Sequence, residues 1–201
     1  MTLGLPRLLV LTDRTQCAGP LSHAVATAVD AGARAVVLRE KDLPADARAE
    51  LAIELTGILT PAGGTLIMAG HAAIYASPGG VHLAAAEPFP ARRPDLVGRS
   101  CHDLAEVAAA TAEGCDYVTV SPVFPSPSKP GYGPPLGPAG LTTLTRSGPP
   151  AYALGGVRPA DVATCRAAGA FGVAVMGGVM RDPRSVAEYL NALDTTVEDQ
   201  S

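Results

Sequence analysis

Two lysines, Lys41 and Lys129, are the only lysine side chains in the chain, and the other basic residues are arginines. Each lysine ends an apolar run, Val36-Val37-Leu38-Arg39-Glu40-Lys41 and Val118 to Phe124 followed by Pro-Ser-Pro-Ser-Lys129. A compact ammonium and a planar guanidinium are suited to different jobs, and a lysine at a strand end is suited to meeting a phosphate as a point charge. In an extended segment Arg39 and Lys41 point one way and Glu40 the other, so the two cations converge. Two glycine pairs, Gly155-Gly156 and Gly177-Gly178, each follow an apolar run. Glycine lets a backbone approach an anion closely, and N–H groups at such turns can hold phosphate. The stretch Pro125 to Gly137 carries Ser126, Ser128 and Lys129 and is long enough to act as a lid over a site.

Other groups carry weaker signals. His71 and His102 stand where helices should open beside strand ends, and either could transfer a proton. His82 lies within an apolar run and reads as a packed residue, and His23 reads as helix surface. No His, Cys or Asp cluster has metal-ligand spacing. Glu87 is the one carboxylate near the end of its strand, and one carboxylate can hold Mg²⁺ that keeps water and phosphate as its other ligands. Cys101, also near a strand end, reads as packing.

The elements that must position these groups follow from alternating apolar runs and alanine-rich stretches. Strands are predicted near 8–13, 35–40, 65–69, 80–84, 96–101, 116–123, 151–156 and 172–177. Helices are predicted near 20–32, 44–60, 71–77, 103–113, 138–146, 159–169 and 183–195. Pro88, Pro90 and Pro94 spoil a helix at 88–95. The runs are continuous and not alternating, which suits a parallel sheet covered by helices. Three stretches, 30–38, 112–120 and 167–175, share one plan: a helix closes at Gly32, Gly114 or Gly169 and a strand begins within three residues. Eight such units predict an α/β fold, a closed (β/α)8 TIM barrel, as one compact domain over 1–201 with 196–201 as a disordered tail. The absence of a Gly-x-Gly-x-x-Gly opening weighs against a dinucleotide-binding sheet. In a barrel the strand ends share one face, which gathers Arg39, Lys41, His71, Glu87, Ser100, His102, Lys129, Gly155, Gly156, Met176 and Gly177.

Bulk properties set outer limits. A 201-residue chain that is 47% apolar supports a single large core. Its net charge of −4 argues against general nucleic-acid binding. No tract is long and apolar enough for a membrane helix, and the N-terminus does not read as a signal peptide. Cys17, Cys101, Cys115 and Cys165 are scattered as in a cytoplasmic protein with reduced thiols. A homo-oligomer is left open.

These motifs together resemble the thiamine phosphate synthase/TenI superfamily over nearly the whole chain. The resemblance rests on Leu9-Val10-Leu11-Thr12-Asp13, Leu38-Arg39-Glu40-Lys41, Gly80-Val81-His82-Leu83, Val97 to His102, Asp116-Tyr117-Val118, Ser121 to Lys129 and the two glycine pairs. It implies that Arg39, Lys41, Ser100 and Lys129 hold a hydroxymethylpyrimidine pyrophosphate. It also implies that Ser126, Ser128, Gly155 or Gly156, and Met176-Gly177 hold a thiazole phosphate. Magnesium would then help pyrophosphate depart. Synthases of this family usually carry Gln where this chain has Val37, and an Asn-Asp pair where it reads Ala69-Gly70-His71. That Asp is a magnesium ligand, and the second family ligand aligns with Glu87. The sister tautomerases are metal-independent, but their catalytic histidine falls at Pro122. The resemblance therefore favours a synthase, with a tautomerase and a non-catalytic binder of thiazole phosphate or thiamine phosphate as alternatives.

Overall fold

The computed structural model describes residues 4–70, 79–125 and 134–198. Eight parallel strands close into a barrel in simple sequential order: β1 Leu8–Leu11, β2 Ala35–Leu38, β3 Thr65–Ala69, β4 Val81–Leu83, β5 Val97–Cys101, β6 Tyr117–Val120, β7 Ala151–Leu154 and β8 Gly172–Val175. The seam is the β1–β8 pair, with Leu8 opposite Val173 and Val10 opposite Val175. The described helices are α1 Leu21–Asp30, α2 Ala45–Leu59, α3 Leu104–Ala112, α4 Gly137–Thr145, α5 Val162–Ala167, α6 Gly177–Arg181 and α7 Val186–Glu198. The (β/α)8 architecture expected from the sequence is the one observed.

The strands are buried on both faces, which is why they read as unbroken apolar runs. Leu8, Val10, Val36, Leu38, Val118, Val120, Val173 and Val175 pack outward against the helices. Leu9, Leu11, Val37, Ile67, Tyr117, Tyr152 and Ala174 fill the inside. The floor is closed by aromatics. Tyr152 packs edge-on against both Tyr117 and Phe171, and its hydroxyl donates to the Pro6 carbonyl at 2.6 Å. One glycine makes room for this filling: a Cβ at Gly98 would overlap the Tyr117 ring.

The repeated helix-to-strand turns are observed as read. Gly32, Gly114 and Gly169 take φ of 111°, 76° and 89°, left-handed values that let the helix end and the chain turn back into the next strand. Four differences from the sequence reading stand out. Most strands end two residues or more short of the predicted limits, although single backbone bonds such as Thr12 N–H to the Val37 carbonyl continue past the ladder. Gly177-Gly178 is not a tight turn but the first turn of α6. The helices predicted to begin at 159 and 183 open with single turns of 3-10 helix, since Pro159 and Pro183 sit at their first positions. α7 reaches Glu198, so 196–198 continue a helix where a tail was expected. The predicted helix at 71–77 lies outside the described residues.

Candidate active site at the barrel mouth

Strand parity places the cations. On β2 and its extension, Val36, Leu38 and Glu40 face outward, while Val37 and Arg39 face inward. Glu40 is 5% exposed and is held by Arg14, whose backbone N–H and Nη1 donate to it at 3.1 and 3.0 Å. Arg14 also grips Asp42 at 2.8 Å and 2.5 Å. This outward clamp ties the loops after β1 and β2 together and fixes the strand end that carries Arg39 and Lys41.

The two cations have different partners. Arg39 donates its backbone N–H to Thr12 Oγ1 at 3.0 Å, and its Nη1 lies 2.8 Å from the Met176 thioether. A thioether is a weak acceptor. No described carboxylate forms an ion pair with Arg39, so its fork is available to an anion. Lys41 donates to Glu87 Oε1 at 3.0 Å, and Glu87 Oε2 accepts the Ala84 N–H at 2.8 Å. The Glu87 loop is held from behind by Arg99, which is nearly fully buried. Its Nη1 donates to the carbonyls of Ala84, Ala85 and Glu87 at 3.1, 2.9 and 2.7 Å.

For a divalent metal the described residues offer Glu87 and no cluster around it. Among them no three His, Cys, Asp or Glu side chains cluster. Gly70 faces the right place but brings no ligand: a Cβ there would lie 3.4 Å from Glu87 Oε1 and 3.6 Å from Lys41 Nζ. Glu87 is already paired with an ammonium. Asp13, just past β1, is turned into its own loop by Thr15 and Gln16.

The glycine pairs line a separate part of the mouth. A cavity of about 510 Å³ is bounded by Gly155, Gly156, Met176, Gly177 and Gly178 after β7 and β8. Gly155 and Gly156 have φ of 93° and 66°. A Cβ on Gly156 would lie 2.8 Å from the Phe124 carbonyl oxygen, so the loop after β6 rests directly on this turn. Phe124, Arg158, Arg181 and Tyr189 also border the cavity and were not singled out in the sequence. A signal was there: Arg158 stands two residues after Gly156 and Arg181 three after Gly178. Arg158 is paired with Asp161, and Arg181 donates to Gln16 Oε1 at 2.5 Å. Met176 belongs to this cavity and touches Arg39, so the contact joins the glycine-lined half to the cationic half.

The remaining expected residues divide three ways. Ser100 is on the inward side of β5, half-buried, with its Oγ 3.0 Å from His82 Nε2. His102 does precede α3, but its Nδ1 and backbone N–H both engage Glu106 Oε2, at 2.9 and 2.6 Å. One carboxylate oxygen thus holds both the His102 ring and the backbone at the start of α3. His71, Ser126, Ser128 and Lys129 lie outside the described residues. Cys101 faces outward into the helix layer, as read.

Comparison with known proteins gives a consistent result. The thiamine monophosphate synthase family model matches residues 8–179. A thiamine-phosphate synthase of Anaeromyxobacter dehalogenans is 40% identical over 187 residues, covering 87% of this chain and 83% of the relative. A thiamine-phosphate synthase of Methanoculleus marisnigri is 39% identical over 184 residues, covering 86% and 87%. Among solved structures, a thiamine phosphate pyrophosphorylase from Pyrococcus furiosus superposes with a TM-score of 0.83 at 24% identity, covering 95% of this chain and 96% of the other. That last likeness supports the fold.

Proposed function

The chain belongs to the thiamine monophosphate synthase family, and from that premise we propose how its mouth joins hydroxymethylpyrimidine pyrophosphate to thiazole phosphate. Arg39, Lys41 and Ser100 hold the pyrophosphate. The backbone at Gly155, Gly156 and Met176-Gly177 holds the thiazole phosphate together with Ser126 and Ser128, and Lys129 joins Arg39 and Lys41 on the pyrophosphate. In the reaction the bond between the pyrimidine methylene carbon and the pyrophosphate oxygen breaks, and its electron pair leaves with pyrophosphate. The thiazole ring nitrogen then gives its lone pair to that carbon, forming the C–N bond.

Charge gathers on the departing pyrophosphate as the bond breaks. Cations fixed beforehand by a folded strand stabilise that state more than the ground state, and they do so without reorganising. Arg39 can grip two oxygens through its fork, and Lys41 supplies a point charge that its pairing with Glu87 aims. The observation that carries the reading is the Arg39–Met176 contact, because it sets a guanidinium with no ion-pair partner among the described residues against the wall of the glycine-lined cavity. Magnesium is implied by the resemblance, Glu87 is the side chain that would hold it, and no step is routed through it. The tautomerase reading is weaker, since Pro122 cannot carry a proton.

The test is direct coupling of the two substrates by the purified protein, following product and released pyrophosphate. Arg39→Ala or Lys41→Ala should each lower kcat/KM by about 100-fold or more, the scale of losing one fixed charge-stabilising group. Calorimetric binding of both substrates with no product above the Lys41→Ala background would make the protein a binder instead of an enzyme.

A further inference from the structure

A polar chain runs down into the barrel beneath Ser100. The His82 ring is 5% exposed and lies roughly parallel to the Tyr117 ring, with centroids 5.5 Å apart and planes at 24°. Its Nδ1 is 3.1 Å from the Tyr117 hydroxyl and its Nε2 is 3.0 Å from Ser100 Oγ. Thr119 Oγ1 donates toward Ser100 Oγ at 3.5 Å. The four groups come from β4, β5 and β6, and Gly98 leaves the space that the tyrosine ring needs.

The direction of these hydrogen bonds can be worked out. Burial, with Lys41 and Arg39 nearby, pushes the His82 ring down to about 3, so it is neutral. A neutral imidazole has one donor and one acceptor. Burial also keeps the proton on the wholly buried Tyr117 hydroxyl. Its acceptor among the described residues is His82 Nδ1, and a buried donor without an acceptor is costly. Nδ1 therefore accepts, and Nε2–H donates to Ser100 Oγ. With His82 and Thr119 both donating to it, the Ser100 oxygen keeps its own hydrogen free, and that hydrogen has the mouth to point into. The opposite tautomer would make Ser100 donate inward and show a lone pair to an anion.

We propose that Tyr117 and His82 are positioning residues that order the protons so that Ser100 is a donor toward a pyrophosphate oxygen. This rests on the reading of Ser100 as a pyrophosphate ligand given above. The relay selects for an anion at this point of the mouth.

Two measurements on the full chain test it. In ¹⁵N-histidine-labelled protein, which has four histidines, His82 should show a bare Nδ1 and a protonated Nε2, unchanged from pH 5 to 8. Tyr117→Phe should release that preference. A His82 protonated at Nδ1, or at both nitrogens, overturns the relay without touching the Ser100 reading. In kinetics, Ser100→Ala should raise KM for the pyrimidine pyrophosphate by about tenfold, the scale of one hydrogen bond to a charged group. His82→Phe should do the same alone and add nothing in a Ser100→Ala background. Additive losses would make His82 merely structural and overturn the proposal. An unchanged KM in Ser100→Ala overturns the Ser100 reading and the relay's purpose with it, whatever the tautomer.

Discussion

At the scale of single residues, the site depends on side chains whose direction is set by period two. Arg39 and Lys41 were legible for that reason: an extended segment sends alternate residues to one side, and nothing more was needed. His82 was legible only as a buried residue. Its partners are 18 and 35 positions away on other strands, and no spacing rule brings them to one ring. The burial that keeps His82 neutral has a measurable consequence. Its ring is pushed from 6.5 to about 3 in the folded protein. Between those values the unfolded chain binds the extra proton, so His82 contributes stability that is full above about pH 6.5 and is lost as the pH falls toward 3. Urea unfolding at pH 7 and pH 5 should show a loss on the order of 2 kcal/mol from this group. In His82→Phe protein that component should vanish, and an identical pH dependence in both proteins would contradict it.

At the scale of elements, all eight strands could be read, because a strand buried on both faces announces itself as an apolar run. Their ends could not, since the residues after the last ladder bond in β7 and β8 are as small or apolar as those before it: Gly155 and Gly156 after β7, Met176 and Gly177 after β8. α6 was hidden for a related reason. Two glycines are poor helix formers, and only the surrounding fold makes them the first turn of a helix. The β7 turn gives a controlled test. Gly156 and Gly63 have nearly the same left-handed φ, 66° and 68°, but a Cβ on Gly63 meets nothing within 4 Å. Gly63→Ala should cost only the backbone strain, about 1–2 kcal/mol, and leave ligand binding unchanged. Gly156→Ala should add displacement of the Pro125 and Phe124 carbonyls and weaken thiazole phosphate binding at least tenfold by calorimetry. Equal effects from the two substitutions would mean that the turn's contact with the β6 loop does not matter to the site.

At the scale of the whole molecule, the barrel-and-helix sandwich leaves little inside that water can reach. Cys101, Cys115 and Cys165 are buried in the layer between strands and helices, and burial pushes the thiols of Cys101 and Cys165 up to about 12 and about 11. Cys17 is only partly covered. A thiol reagent at pH 8 should therefore modify one cysteine quickly in the native protein, while the other three react no faster than the protein unfolds. Rapid modification of all four would mean that the helix layer opens far more readily than this packing allows. The family could be recognised in the sequence because its motifs sit at the strand ends of every part of the barrel. What remained illegible was the pairing around Glu87, which depends on Gly70, Lys41 and Arg99 meeting across three strands.

The closed floor has a consequence for traffic. Tyr152, pinned to Pro6 and packed between Tyr117 and Phe171, stoppers the barrel at the end opposite the site. Everything that enters must leave by the door it came in through. Two substrates and two products therefore share a single opening, and each must clear it before the next reaction can begin.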